Sequence, residues 1–299
     1  MKVGSVSVII PTYNRQIVIS RAIESVLAQS LSPREVIVVD DGSTDGTADV
    51  LASFGDSIRS IRQNNQGQAV ARNVGVDHAS GDYVAFLDSD DWWNVDKLER
   101  QLEFFLSMNA DACFHDFTLQ NPATGRAVAS WNHECHRMGW PVLSSDMVDD
   151  ALSVVVRRAD VFFTSTLLMR REVFVRLGGY RSEYRRCQDV DMHCRLALNG
   201  TVAFLDEPLA VKEENSAACP FLAYEMRLAL LKQSLGVCLR EGRRRSVCVL
   251  RTAIRLHLRA FAGHCRRERR LARAVCLYGE VAARMAGDRV AGSVLWRSP

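Results

Sequence analysis

Short apolar runs alternate with amphipathic stretches along the first two hundred residues. Val6 to Ile10 is a β-prone run stopped by Pro11, and Thr12-Tyr13-Asn14-Arg15 turns from it into a helix over Val18 to Gln29. A second run, Val36 to Val39, ends in Asp40-Asp41-Gly42-Ser43-Thr44-Asp45, where Ser43 or Thr44 is placed to cap the next helix. A short strand near Ile58 to Arg62 and a helix near Gln68 to His78 follow. Val84-Ala85-Phe86-Leu87 then reads as a buried strand that runs straight into Asp88-Ser89-Asp90-Asp91. From Asn109 to Arg158 the pattern loosens. It holds a strand at Ala112 to Leu119, a turn at Asn121 to Gly125, a Trp- and His-rich stretch to Pro141, and a helix near Val148 to Arg157. Beyond it the pattern predicts a strand from Val161 to Met169 and a helix from Glu172 to Leu177 closed by Gly178-Gly179. A further helix opens at Gln188-Asp189.

Strand and helix patterns at such short intervals imply an α/β domain with a parallel sheet and helices on both faces. Ligands of these sheets sit beyond the carboxyl ends of the strands. Tyr13, Asp40, Asp41, Asp88 and Asp90 all fall just past a predicted strand end, so distant residues can share one crevice. Carboxylates crowded as in Asp88 to Asp91 repel one another unless a cation or donors compensate them. The one-residue spacing of Asp88 and Asp90 suits a hard, oxygen-preferring ion, Mg²⁺ or Mn²⁺, whose natural further ligand is a diphosphate. The Gly-rich fingerprints G-x-G-x-x-G and G-x-x-x-x-G-K-[ST] are both absent.

Charge divides the 299 residues. From Phe221 onward the chain carries a net +12, whereas residues 1–220 carry −9. We therefore divide it into a domain at 1–219, with a nucleotide-binding half (1–108) and an acceptor half (109–219), and a basic helical region at 220–299. Helices are predicted there over Leu222 to Leu239, Val247 to Ala262 and Glu268 to Met285. In the middle one Leu250, Ile254, Leu258 and Phe261 form an apolar row beside Arg251, Arg255 and Arg259. That pattern fits either an anionic membrane surface or a helical pair with a solvated Arg face. Nucleic acid is not expected, since no nucleic-acid-binding motif accompanies the charge.

Nine cysteines without a C-x-x-C pair argue for a reducing compartment, and no apolar run reaches the roughly 18 residues of a membrane span. The expected location is cytoplasmic, with peripheral attachment at the inner face of the membrane left open. His133-Glu134-Cys135-His136 has no second ligand pair at zinc spacing and is read as a polar acceptor loop. Trp92-Trp93 suits either sugar stacking or the core.

Five ordered stretches resemble family 2 glycosyltransferases. They are Ser7 to Arg15, Val38 to Thr47, Ala71-Arg72-Asn73-Val74-Gly75, Asp88-Ser89-Asp90, and Gly178-Gly179-Tyr180 before Gln188-Asp189. The resemblance covers residues 5 to about 212. It implies the GT-A fold, a Rossmann-like mixed and mostly parallel sheet flanked by helices, here with a C-terminal α-helical extension. It also implies inverting transfer of a sugar from a nucleotide diphosphate sugar, foremost a UDP-sugar, to an acceptor hydroxyl. The acceptor would be a glycan or lipid-linked glycan of bacterial cell-surface synthesis. By the resemblance Pro11, Tyr13, Asp41 and Asp40 hold the nucleobase, Arg72 lies near the nucleotide, Asp88 contacts ribose or metal, and Asp90 binds metal. Asp189 falls where the family has its catalytic base, and one carboxylate suffices for that role.

Two departures stand out. Gln188 replaces a common Glu, and Val211-Lys212-Glu213-Glu214-Asn215-Ser216 lacks the family's lid His, leaving Lys212 as a candidate phosphate contact. These departures lend weight to an alternative, a catalytically silent nucleotide-sugar-binding or scaffold protein. A sugar nucleotidyltransferase would want a Gly-rich loop where Pro11 to Arg15 has no glycine.

Overall fold

The computed structural model describes residues 4–121, 124–137, 142–157, 162–184, 187–213 and 220–267. The predicted helix at Glu268 to Met285 lies outside them, as do Pro141 and Glu214-Asn215-Ser216. The chain divides into units at 1–218 and 219–299.

Parallel strands β1 (Val6–Thr12), β2 (Glu35–Asp40), β3 (Arg59–Arg62) and β4 (Tyr83–Phe86) form one side of a mixed sheet, with β1 between β2 and β4. Val8, Ile9 and Ile10 are fully buried because helices cover both faces of a central parallel strand. β1 does not stop at Pro11, as the sequence suggested, but runs through it. Ile9 accepts the last bond from β4, that of Leu87 N–H, and alternation turns the Pro11 nitrogen to the same side. β4 has already ended there, so the missing N–H costs no ladder bond.

The rest of the sheet departs from an all-parallel arrangement. β6 (Ala112–Gln120) and β10 (Val202–Glu213) are parallel to each other, and antiparallel β9 (Leu168–Arg170) joins β6 to β4. β5 (Trp92–Trp93) pairs antiparallel with β10, giving the order β3-β2-β1-β4-β9-β6-β10-β5, with the short β7 (Ala127–Val128) on β6 and β8 (Asp146–Met147) on β10. The strand predicted over Val161 to Met169 is cut short. Among its described residues, Thr164–Thr166 form a 3₁₀ turn before β9, because all three are buried and hydroxylated and bond locally or to the acidic loop.

Helix α1 (Ile19–Leu27) buries Ile19, Ala22, Ile23 and Val26 on one stripe, the three large side chains contributing about 1.5–3 kcal/mol each. α2 (Thr47–Ser53) and α3 (Gln68–Asp77) follow β2 and β3. The cap expected from Ser43 or Thr44 comes instead from Asp45, which accepts the Thr47 N–H at 3.0 Å and the Thr47 hydroxyl. Ser43 is occupied elsewhere, accepting the Asn14 N–H at 2.9 Å.

Helices α4 (Lys97–Met108), α5 (Trp131–Arg137), α6 (Ala151–Arg157), α7 (Arg171–Arg176) and α8 (Gln188–Asn199) complete the first unit. The stretch read as a polar loop at His133 to His136 is therefore helical. Asp116 starts it by accepting the Asn132 N–H at 2.8 Å and the Ser130 hydroxyl. Trp93 belongs to the core, with its indole N–H on the Ser165 carbonyl at 2.8 Å and the Lys97 ammonium 3.5 Å from its ring centroid. In the second unit α9 (Pro220–Arg240) and α10 (Arg244–Arg267) pack together. Leu250 and Ile254 of the predicted apolar row are buried, so they are not an exposed face for a membrane to cover.

Candidate active site

The carboxyl ends of β1, β2 and β4 bring three of the predicted stretches to one side of the sheet. At the first two, Asp41 N–H bonds the Thr12 carbonyl, which sets Tyr13 beside the Asp40-Asp41 turn. Tyr13 is 44% exposed, as a ring available for stacking requires. Asp40 and Asp41 are buried and turned inward. Asp40 accepts the Ser43 N–H, while Asp41 accepts the Gln63 side-chain amide and the Gln66 and Gly67 N–H groups at 2.7–2.9 Å. Asp41 thus shapes the loop that leads into α3. Gly42, at φ +79°, lies so close to that loop that a Cβ would meet the Asn65 nitrogen at 3.0 Å.

α3 carries Arg72 beneath the acidic loop. Its guanidinium donates to Asp88 Oδ1 at 2.6 Å and lies 5.1 Å from the Tyr180 ring centroid, while Nε and Nη1 have no partner. Burial opposes the arginine's charge most strongly, but the charge and hydrogen bond of Asp88, with Tyr180 and Asp189, together outweigh it and raise its pKa. Asn73 clamps the next motif, donating to the Tyr180 carbonyl at 2.7 Å and accepting its N–H at 2.8 Å. Ala71-Arg72-Asn73 and Gly178-Gly179-Tyr180 are therefore two halves of one contact.

Asp88 joins the acidic loop to α8. Gln68 donates to Asp88 Oδ1 at 3.1 Å and accepts from the Gln188 side chain at 3.0 Å. Asp189, the next residue, is partly buried and caps its own turn through the Val190 N–H. Its charge reaches Arg72, Tyr180 and His193. Asp191 in the same turn has a structural role, paired with Arg195 at 2.6 Å and Arg181 at 3.3 Å. Asp88, Arg72 and Asp189 are thus brought together as the sequence suggested.

Asp90 faces Arg15 at 3.7 Å, and its carbonyl accepts from Arg21 at 2.9 Å. Asp91 turns inward, accepting the Ser165 hydroxyl at 2.6 Å and the Glu213 N–H at 3.3 Å. Burial first, then the Asp88 and Asp90 charges, push its carboxyl well above the usual carboxylate range. Lys212 lies over the Phe163 ring, 4.1 Å from its centroid, and its charge reaches Asp91.

Three functional positions escaped the sequence reading. Ser165 accepts the Asp88 N–H at 3.0 Å while donating to Asp91, so one hydroxyl holds both ends of the loop. Gln68 links Asp88 to α8. His193, one turn beyond Asp189, is buried with neither ring nitrogen bonded, and its rings of contact are Phe114 and Phe162. Burial pulls its pKa down to about 4, Arg72 and Arg195 acting in the same direction and Asp189 against it.

Among the described residues no three His, Cys, Asp or Glu side chains form a cluster able to hold a metal by themselves. Asp88 and Asp90 fit an ion that takes one or two carboxylates and completes its shell from substrate phosphates and water, the usual Mg²⁺ arrangement. Asp88 Oδ1 is engaged by Arg72 and Gln68, which leaves Oδ2 for such an ion.

This sheet, with its acidic loop past β4, defines a GT-A protein. The first 349 residues of S. aureus TarS, crystallised with UDP-GlcNAc, match it with a TM-score of 0.60 at 22% identity, covering 77% of this chain and 66% of that one. The Glycosyl transferase family 2 model matches residues 7–178, and the chain belongs to that family. TuaG of Bacillus subtilis, named for teichuronic acid biosynthesis, is 47% identical over 118 residues, 38% of this chain and 47% of its own length. The Escherichia coli protein WfgD, named a UDP-Glc:alpha-D-GlcNAc-diphosphoundecaprenol beta-1,3-glucosyltransferase, is 39% identical over 128 residues, 42% of this chain and 51% of that one. The matches span about half the length of these relatives.

Proposed function

We propose that the chain transfers a sugar from a UDP-sugar to an acceptor hydroxyl with inversion, in bacterial cell-surface glycan synthesis. The observation that supports this reading is the bonded path from Arg72 through Asp88 and Gln68 to Gln188, which ties the acidic loop to the helix turn that carries Asp189. The names of WfgD and of the TarS complex support the UDP-sugar and a lipid-linked glycan acceptor.

Tyr13 stacks on the nucleobase, and Pro11, Asp40 and Asp41 build the wall it lies against. Asp88, aimed by Arg72, and Asp90 hold a Mg²⁺ or Mn²⁺ ion. When bound, that ion supplies Lewis-acid stabilisation of the charge developing on the leaving diphosphate. Asp189 takes the proton of the acceptor hydroxyl at its carboxylate, on the face opposite the leaving group. Asp191 cannot substitute for it, because Arg195 and Arg181 occupy both its oxygens.

The test is a thermal-shift panel of UDP-, dTDP- and GDP-sugars with and without Mn²⁺, followed by turnover of the stabilising donor. Asp189→Asn should cut turnover about 10²–10⁴-fold while donor binding persists. Near-wild-type turnover in that variant would end the base assignment. A flat panel would instead favour a silent scaffold.

A further inference from the structure

The cation at the carboxyl end of β10 has no part in the chemistry proposed above. The backbone on both sides of Lys212 is fixed against the acidic loop. Val211 pairs with Trp92 of β5, and Glu213 donates its N–H to Asp91 Oδ1 at 3.3 Å. Arg21 adds a second tie, donating to the Glu213 carboxylate and, at 2.9 Å, to the Asp90 carbonyl. Lys212 is therefore held beside the loop by bonds on its two neighbours.

Its side chain rests on aromatic carbon instead of oxygen. The ammonium lies 4.1 Å from the Phe163 ring centroid and 5.7 Å from that of Phe117. Ring faces attract a cation without taking its N–H groups as a carboxylate would. Among the described residues no oxygen accepts a hydrogen bond from Nζ, and the residue is only half-buried, so its three donors stay open to a ligand. The other cations around the loop are engaged. Arg72 is bonded to Asp88, Arg15 faces Asp90, and Arg21 holds Glu213. Asp91, the carboxyl that the Lys212 charge reaches, has its two oxygens occupied by Ser165 and Glu213.

A compact ammonium with open donors binds phosphate oxygens as a point charge. We propose that Lys212 is a diphosphate-binding residue, holding the β-phosphate of the donor nucleotide from which the sugar departs. The proposal rests on the nucleotide-sugar reading above and adds to it a positive charge on the β10 side of the loop. A cation fixed there before the reaction stabilises charge developing on the leaving phosphate without having to reorganise.

The experiment is calorimetry on the full chain in the presence of Mg²⁺, with UDP and UMP as probes, because the two differ only in the phosphate assigned to Lys212. Lys212→Met keeps a stem that packs on Phe163 and Phe117 and removes the charge. It should weaken UDP about tenfold or more and UMP less than about threefold, so the preference for UDP shrinks. Lys212→Arg keeps a cation and should restore most of that preference. Arg126→Gln removes the same charge from an exposed position in the β6–β7 turn, and should leave both affinities within about twofold. Far-UV circular dichroism and the melting temperature without ligand check the fold, and should Lys212→Met fail to fold, Lys212→Gln carries the comparison. Equal losses for UDP and UMP, no loss at all, or the same loss in Arg126→Gln overturns the assignment of Lys212 and leaves the nucleotide-sugar reading standing. Wild-type protein that binds neither nucleotide overturns that reading and the Lys212 assignment with it.

Discussion

Ser165→Ala tests whether the acidic loop is held by a neutral hydroxyl from a distant turn. The serine is fully buried, and its oxygen accepts from the Asp88 amide while its proton goes to Asp91. Removing it leaves the amide without an acceptor, at about 1–3 kcal/mol, and deletes a hydrogen bond worth about 1 kcal/mol. The expected loss is therefore about 2–4 kcal/mol. Ser25→Ala is a useful comparison on the same loop, since Ser25 accepts only the Trp93 N–H at 3.2 Å and donates to its own helix. It should cost about 1 kcal/mol. Urea unfolding of the full chain gives both values, and hydrogen exchange of the segment from Leu87 to Trp93 localises the effect. A Ser165→Ala protein within 0.5 kcal/mol of wild type, with unchanged exchange in that segment, would refute the clamp.

Two buried basic side chains give further predictions. Lys97 is fully buried, its ammonium is hydrogen-bonded to no described residue and lies 3.5 Å from the Trp93 ring centroid, and burial drives its pKa well below the ordinary lysine value, with Cys113 acting against it. A lysine held low in the folded state loses stability as pH falls below the unfolded value of about 10.4. Lys97→Met should thus stabilise by about 1–3 kcal/mol at pH 7 and flatten the stability curve between pH 7 and 10, as measured by urea titration. His193 is depressed too, from an unfolded value of 6.5 to about 4, so the unfolded chain binds its proton first as pH falls. Stability should decline by up to about 3 kcal/mol from pH 6.5 to pH 4, and His193→Leu should remove that part of the slope. An unchanged slope in the variant would count against a neutral buried imidazole.

The residues at the carboxyl ends of β1, β2 and β4 were legible because each follows a local apolar run, although β1 continues through Pro11 to Thr12. Tyr13, Asp40, Asp41, Asp88 and Asp90 lie where that pattern puts them. Cap choice was less legible: Ser43, Thr44 and Asp45 all carry cap-forming side chains, and Asn14 engages the first two, its N–H on the Ser43 hydroxyl and its side-chain oxygen on Thr44, leaving Asp45 for Thr47. Ser165 was hidden for a different reason. Its partners are 74 and 77 residues away, and Val161 to Met169 carries enough apolar residues to imitate one strand. The row at Leu250 and Ile254 left two readings open because an apolar helical row reads the same whether lipid or another helix covers it, and these two residues are buried.

Gln188 shows how a departure from a family pattern acquires a physical reason. Read alone, it is a carboxylate lost beside the proposed base, Asp189. Its amide, however, donates to Gln68 Oε1, and the Gln68 amide donates on to Asp88 Oδ1, so proton donors run in one direction from α8 to the acidic loop. An ionised Glu at 188 has no proton to give and would set its oxygens against the Gln68 oxygen. Gln68 would then have to reverse, turning its oxygen toward Asp88, and the carboxylate would lose one of its two donors. Position 188 and position 68 are therefore matched to each other. The charge missing at 188 also leaves Asp189 as the acid of its turn without an arginine bonded to it, since Arg195 and Arg181 are both committed to Asp191.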